Sequence, residues 1–331
     1  MDERLTVELA DLRGWADQVG RAGDDCAYLA DYLTSFVPDG DFGPILAPIR
    51  ADYERLAGRV REVISLESDR LDDTGAALRH AAASYARTDA RVAQDLGVAA
   101  AVTDDGRAGR GFHDTGPSTP PAPEYGGEVL PVVTFGWALD QANEVVTRIG
   151  GPDIRSWVTD RVAGDIGKAA AQASAWEHAG RALVAVRGNL ARGSQAVARS
   201  WDGAAAASSR SYTDAWLGAL ERQSDTLAGV AAHLRDAIEQ AVDVAQLVTD
   251  MIKEIVSIVV AGWGYASIPI FGQAQLVERF SDVLRLAWDA KKVLAVFWYF
   301  LLVIKDGFVL AADCLAAESL PAPPSLPARA T

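Results

Sequence analysis

Residues 12–36 read LRGWADQVGRAGDDCAYLADYLTSF, and their spacing decides the fold class. The apolar positions Leu12, Trp15, Val19, Ala22, Cys26, Leu29, Leu33 and Phe36 recur in alternating steps of three and four. That is the stripe of a helix packed along another helix. Pro38-Asp39-Gly40-Asp41 then breaks it with turn residues. A second run follows through Ile49, Tyr53, Leu56, Val60, Val63, Leu71, Leu78, Ala82, Tyr85, Asp89, Val92 and Leu96. Read as one helix from about Gly43 to Leu96, it is on the order of 80 Å long. Two helices joined by a short turn pack antiparallel, so residues 1–101 form an N-terminal hairpin.

Working outward, residues 102–134 gather Gly106, Gly109, Gly111, Gly116, Pro117, Pro120, Pro121, Pro123, Gly126 and Gly127 with few apolar side chains. This is a linker. A short helix is expected at Trp137 to Ile149, closed by Gly150-Gly151-Pro152, and another start at Ile154 to Val162. Within the module 135–250, a second hairpin begins near Asp165. Its first helix carries Trp176, Ala179, Leu183, Val186, Leu190 and Val197, and a bend follows at Trp201-Asp202-Gly203. The return helix carries Tyr212, Trp216, Leu220, Leu227, Val230, Leu234, Ile238, Ala241, Val244 and Val248. Residues 251–320 form a hydrophobic tail. Ile255 to Val277 has no charge but includes Gly262, Gly264, Pro269 and Gly272. Glu278 to Lys292 reads as a charged amphipathic helix, and Val293 to Ile304 as a dense apolar run before Lys305-Asp306. A Pro-rich end spans 321–331. The expected fold is all-α: two antiparallel helical hairpins, able to pair as a four-helix bundle, with a helical hydrophobic C-terminal region.

The chain has 331 residues, half of them hydrophobic, and a net charge of -14. It can bury real cores. Its acidity argues against nucleic acid, which needs clustered Lys and Arg, and against electrostatic docking to anionic lipid. The acidity leans forward, with 11 Arg, no Lys and 19 Asp plus Glu in residues 1–101. Cys26 and Cys314 read as two buried thiols, with a disulfide left open. The opening Met1-Asp2-Glu3-Arg4 has no basic region followed by an apolar core, so no signal peptide of that kind is expected.

Two short motifs stand out. At Trp201-Asp202-Gly203, Gly203 can take a backbone angle that a side chain disfavours at the reversal. Trp201 would then cover the hairpin's open end or insert into a partner's groove. The plain alternative is an interhelix turn with a core tryptophan. Tyr85 and Asp89 form a Tyr-x-x-x-Asp near the end of the first hairpin. Their plain alternative is a seam tyrosine and a half-exposed acid one turn apart.

Residues 170–250 resemble the Trp-x-Gly helical hairpins exported by type VII (ESX) secretion systems of actinobacteria. Residues 7–97, with Ser84-Tyr85-Ala86-Arg87-Thr88-Asp89, resemble the related secretion-associated hairpins of the same systems. In that family two hairpins pair antiparallel, and an export signal combines a Tyr-x-x-x-Asp/Glu from one with the Trp-x-Gly of the other. The resemblance therefore implies a secretion signal of Tyr85, Asp89, Trp201 and Gly203, with a type VII secretion ATPase or translocon as reader. Two departures stand against the pattern. The second hairpin has no such tag, since Tyr212 is followed at i+4 by Trp216, and the first has Asp39-Gly40-Asp41-Phe42-Gly43 at its bend. They suggest either a separate hairpin partner or self-pairing of the two modules, which the linker permits because it can extend about 100 Å.

The resemblance implies a protein exported by a signal-peptide-independent route to the exterior or cell surface, cytoplasmic beforehand, and not an enzyme. One alternative is a membrane-inserting effector whose tail, in membrane contact over residues 255–312, is the active part. Against it, Pro and Gly break 255–277, and Val293 to Ile304 falls short of the roughly 20 residues a span needs. A buried helical cap is the expected form of the tail. A cytosolic helical scaffold is the second alternative. No cofactor, metal site or catalytic residue is expected: His80, His113, His178 and His233 are scattered, and no phosphate loop or nucleophile motif is present.

Overall fold

The computed structural model describes residues 6–97, 106–116, 118–124, 130, 136–159, 161–263, 272–315 and 320–324. Pro117, Gly126, Gly127, Gly264, Pro269 and the end of the Pro-rich segment, residues 325–331, lie outside the described residues.

Helix α1, Leu9–Phe36, buries Leu12, Trp15, Val19, Ala22, Cys26, Leu29 and Leu33, the stripe expected from its spacing. It returns through a 3-10 turn at Pro44–Ile49 into α2, Arg50–Asp95. The long helix thus begins at Arg50 and not near Gly43. Pro44 and Pro48 have no N–H to donate to an α-ladder, so the chain takes a tighter turn first. Gly43 has φ +87°, and a Cβ there would lie 2.5 Å from Gly164 Cα. Only glycine fits this conformation and this approach. The contact lets Ile45 N–H donate to Ala163 O (3.0 Å) and Asp165 N–H to Phe42 O (2.9 Å).

The short helices α3, Trp137–Arg148, and α4, Ile154–Thr159, precede the second hairpin. That hairpin consists of α5, Ile166–Val197, capped by the Asp165 carboxylate on Lys168 N–H (2.8 Å), and α6, Ala204–Trp263. The helices run antiparallel: a Cβ on Gly180 would lie 3.2 Å from Ser224 O, while further along α5 Arg187 donates to the earlier Leu217 O (3.2 Å).

The two hairpins pair within one chain as a four-helix bundle. Helix α1 packs against α5. Trp15 lies against Gly193 near one end, while Tyr32 O–H meets His178 Nδ1 (3.4 Å) near the other, so these helices are antiparallel. Gly193 makes room for this contact, since a Cβ there would meet Gln18 Oε1 and the Trp15 ring. A single core results, with Trp15, Tyr53, Trp176 and Trp216 fully buried. Burial of this order is the main stabilising term, about 25 cal/mol for each Å² of apolar surface removed from water.

One polar position inside that core is costly. Glu67 of α2 is 0% exposed, and burial pushes its carboxyl up to about 8. Gln223 of α6 is its polar neighbour and offsets only part of this rise, and among the described residues neither side chain has a well-formed hydrogen bond. Cys26 is buried, and burial raises its thiol further above the ordinary range. Cys314 is exposed, contrary to the expectation of two buried thiols, and both cysteines are free.

The described part of the linker is docked on the bundle. Gly109 N–H donates to Ala10 O (2.6 Å), and Phe112 is buried against Gly14. Asp114 accepts from Gln18 (3.0 Å) and Arg21 (2.5 Å), and Pro121 O accepts from Tyr32 O–H (3.0 Å). The described part of the linker therefore runs as an extended strap along α1 and α5, from one end of the bundle to the other.

Helix α6 runs unbroken across residue 250, where a module boundary was expected, because Val248, Ile252, Ile255 and Val259 continue its buried stripe. Helix α7, Gly272–Cys314, folds back along it. Its inner face buries Val283, Ala287, Leu294, Phe297, Leu301, Ile304 and Phe308. Phe308 reaches Tyr53 on α2, ring centroids 5.5 Å apart, and Arg70 donates to Leu320 O (2.8 Å). The tail thus docks on the end of the bundle away from the Trp201 bend. The expected interruption at Lys305-Asp306 does not break the helix: Asp306 is exposed, and half-buried Lys305 reaches the Asp52 carboxylate on α2 (3.8 Å).

Candidate functional site: the elbow and the overhanging helix

The reversal at Trp201-Asp202-Gly203 is not a free loop. Trp201–Asp202 forms a short strand, β2, antiparallel to β1 at Thr6–Val7, with Val7 opposite Trp201. Glu8 N–H donates to Ser200 O (3.0 Å), and Ser200 O–H donates to Asp11 Oδ2 (2.6 Å). The segment before α1 is therefore stitched to the elbow of the other hairpin. Gly203 has φ +107°, a conformation a side chain would strain, and its carbonyl accepts the α6 bond from Ala207 N–H. Trp201 is 4% exposed, and its indole N–H makes no hydrogen bond among the described residues. Of the two uses open to it, the ring covers the hairpin end inside its own chain, in the place where a partner's groove was the other option.

Tyr85 lies level with this elbow. Thr74 Oγ1 on α2 and Tyr212 O–H on α6 are 3.0 Å apart, and α2 and α6 run in opposite directions. Eleven residues onward from Thr74 is Tyr85, and eleven back from Tyr212 is Trp201. The α1–α2 register agrees: Arg79 pairs with Asp17 (3.4 Å), which sets Tyr85 beside the start of α1. Tyr85 and Val7 are both partly buried against the core.

Beyond Tyr85, α2 continues past the described part of the bundle. Asp89 lies one turn further, about 6 Å past the elbow, and Asp95 about 15 Å past it. Residues 87–92 and 94–97 are all exposed, including Val92 at 46% and Leu96 at 70%. The site is thus a projecting helix end with alternating charge (Arg87, Asp89, Arg91, Asp95), rooted by a half-buried tyrosine beside a sealed tryptophan. It offers a shape and a charge pattern for recognition by another protein. Among the described residues no group of three His, Cys, Asp or Glu side chains is arranged to hold a metal ion.

Sequence reasoning singled out Tyr85, Asp89, Trp201 and Gly203, and these four lie at one end of the bundle. It missed Val7, Asp11 and Ser200, which tie the elbow down. A two-residue strand has no periodicity to read, so no sequence signal marks it. It also missed the groove of about 600 Å³ between the 3-10 turn and α7, lined by Ala47, Pro48, Arg161, Trp298 and Leu302, where the Arg161 guanidinium lies 4.4 Å from the Trp298 ring centre. Comparison of the chain with protein-family models, with curated proteins and with solved structures finds no match.

Proposed function

We propose that this protein is a non-enzymatic substrate or secretion-associated factor of a type VII (ESX) system, exported as a folded helical bundle. Its two hairpins act as each other's partner, and the composite signal is Tyr85 and Asp89 on the α2 overhang beside the Trp201–Gly203 elbow. The observation that carries this reading is the projection of α2 past the elbow, level with it at Tyr85 and exposed from Arg87 onward. A helix end presented in that way can be gripped by a secretion ATPase without unfolding the bundle. Trp201, sealed in the core, contributes by fixing the elbow, and Asp89 contributes as a contact.

The membrane-inserting alternative is less well supported. By length and composition α7 is apolar enough to cross a membrane, and its apolar window is only 28% buried. Its exposed face, however, is free of charge only between Lys292 and Asp306, about 20 Å, short of the roughly 30 Å hydrocarbon layer.

The test is export from cells with and without the type VII ATPase, comparing wild type with Tyr85→Ala and Asp89→Ala. The reading predicts ATPase-dependent extracellular protein that both substitutions remove. Equal extracellular amounts in every case would remove the reading.

A further inference from the structure

The outer face of α7 carries a charge order that one arrangement satisfies better than any other. Arg285, Lys292, Tyr299, Asp306 and Asp313 are spaced seven residues apart, so they form a nearly straight line along the helix, drifting about 20° per step. All five are exposed, Tyr299 at 72%. Beside the line stand the exposed apolar side chains Trp288, Val296, Leu302, Val303 and Leu310. The order is basic, basic, aromatic, acidic, acidic, and it is symmetric in position about Tyr299. Among the described residues, Arg285 and Lys292 pair locally with Asp282 (3.3 Å) and Asp289 (3.1 Å), with side chains that are largely exposed. Such pairs contribute little and exchange readily.

We propose that this face joins two copies of the chain, with α7 antiparallel to the partner's α7 about a two-fold axis at the turn carrying Tyr299. That packing brings Lys292 to the level of the partner's Asp306, and Arg285 to the level of its Asp313. Trp288 comes level with the partner's Leu310, and Val296 with its Leu302. A parallel pairing would set basic against basic and acidic against acidic. The self-complementary order is what selects a second copy over another partner, since an isologous interface requires a patch that matches itself. The seam from Arg285 to Asp313 is about 42 Å long, four heptads, enough for a sustained helix pair. The groove beside Trp298 and Leu302, closed on its far side by Ala47 and Pro48, opens next to the axis and can take the partner's Tyr299 ring. Lipid is the poorer occupant. Between Lys292 and Asp306 the face is free of exposed-line charge for only about 20 Å, short of the roughly 30 Å hydrocarbon layer. The inference does not depend on the export reading.

The test is sedimentation of the full chain from about 1 to 100 µM, with circular dichroism to confirm that each variant keeps its fold. Wild type is expected to dimerise with concentration. Lys292→Asp alone, and Asp306→Lys alone, each reverse two symmetry-related contacts and should weaken the dimer by about tenfold or more. The double variant Lys292→Asp/Asp306→Lys restores both contacts and should return to within about threefold of wild type. Three outcomes overturn the proposal: a monomer throughout, a dimer indifferent to the single swaps, or a double variant no better than the singles. A wild type that stays monomeric and cosediments with phosphatidylglycerol vesicles assigns the face to lipid and also overturns it.

Discussion

Replacing Glu67 by glutamine tests whether the seam between the hairpins is closed and dry. An ordinary glutamate titrates near 4.5, while Glu67 in the fold titrates at about 8 because burial disfavours its ionised form. Its folded value lies above its unfolded value, so the folded chain holds the proton more tightly. The stability that Glu67 contributes is therefore greatest below about pH 4.5 and declines as pH rises through the interval to about 8. At about 1.36 kcal/mol per pH unit, the loss between pH 5 and pH 7.5 is about 3 kcal/mol. Glutamine has the same shape and no charge. Any fixed cost of its amide beside Gln223 does not vary with pH. Burial also raises Asp25 and Asp72, so wild type alone would mix several contributions, whereas the difference between the two proteins isolates Glu67. The assay is urea denaturation followed by tryptophan fluorescence at pH 5, 6, 7 and 7.5 for both proteins. Glu67→Gln should gain about 3 kcal/mol on wild type from the lowest to the highest pH. Parallel stability curves across that range would refute the reasoning, because they would mean that Glu67 is solvated and the seam open around it.

Gly193→Ala should destabilise the bundle by about 1–3 kcal/mol in a thermal melt, since its Cβ runs into the buried Trp15 ring and Gln18. Trp201→Ala and Asp89→Ala should separate structure from recognition. The first removes a buried ring and costs about 3–5 kcal/mol, while the second changes stability by less than about 0.5 kcal/mol yet stops ATPase-dependent export. Phe308→Ala, which empties the contact with Tyr53 and His233, should cost about 3–5 kcal/mol and speed hydrogen exchange along the C-terminal part of α7.

The hairpins themselves were legible because steps of three and four from Leu12 to Phe36, and from Trp176 to Val197, admit only a helix with one buried stripe. How the hairpins meet was not legible. It depends on Gly193 lying under Trp15 and on Thr74 meeting Tyr212, single contacts between distant residues that no local pattern announces. The strap, described over 106–116 and 118–124, read only as a linker because it has few apolar side chains and many Gly and Pro. It is held instead by backbone acceptors such as Ala10 O and Pro121 O, and by Asp114 between Gln18 and Arg21. The boundary expected at 250 followed the loss of charge after Ile255, although the buried spacing of Val248, Ile252, Ile255 and Val259 runs straight through it. At the candidate site, the four residues came from short motifs. Their common end of the bundle came from the fold.

The most direct measurement is the distance between spin labels at Asp89→Cys and Asp202→Cys in a Cys314→Ser background, with Cys26 buried. Both labelled positions are exposed, one on the overhang of α2 and one at the elbow. Neighbouring helix axes lie about 8–10 Å apart and Asp89 stands about one turn past the elbow, so the expected separation is about 15–25 Å. A distribution centred beyond about 40 Å would mean that the hairpins do not pair in this register, and the account of a joint signal would be wrong.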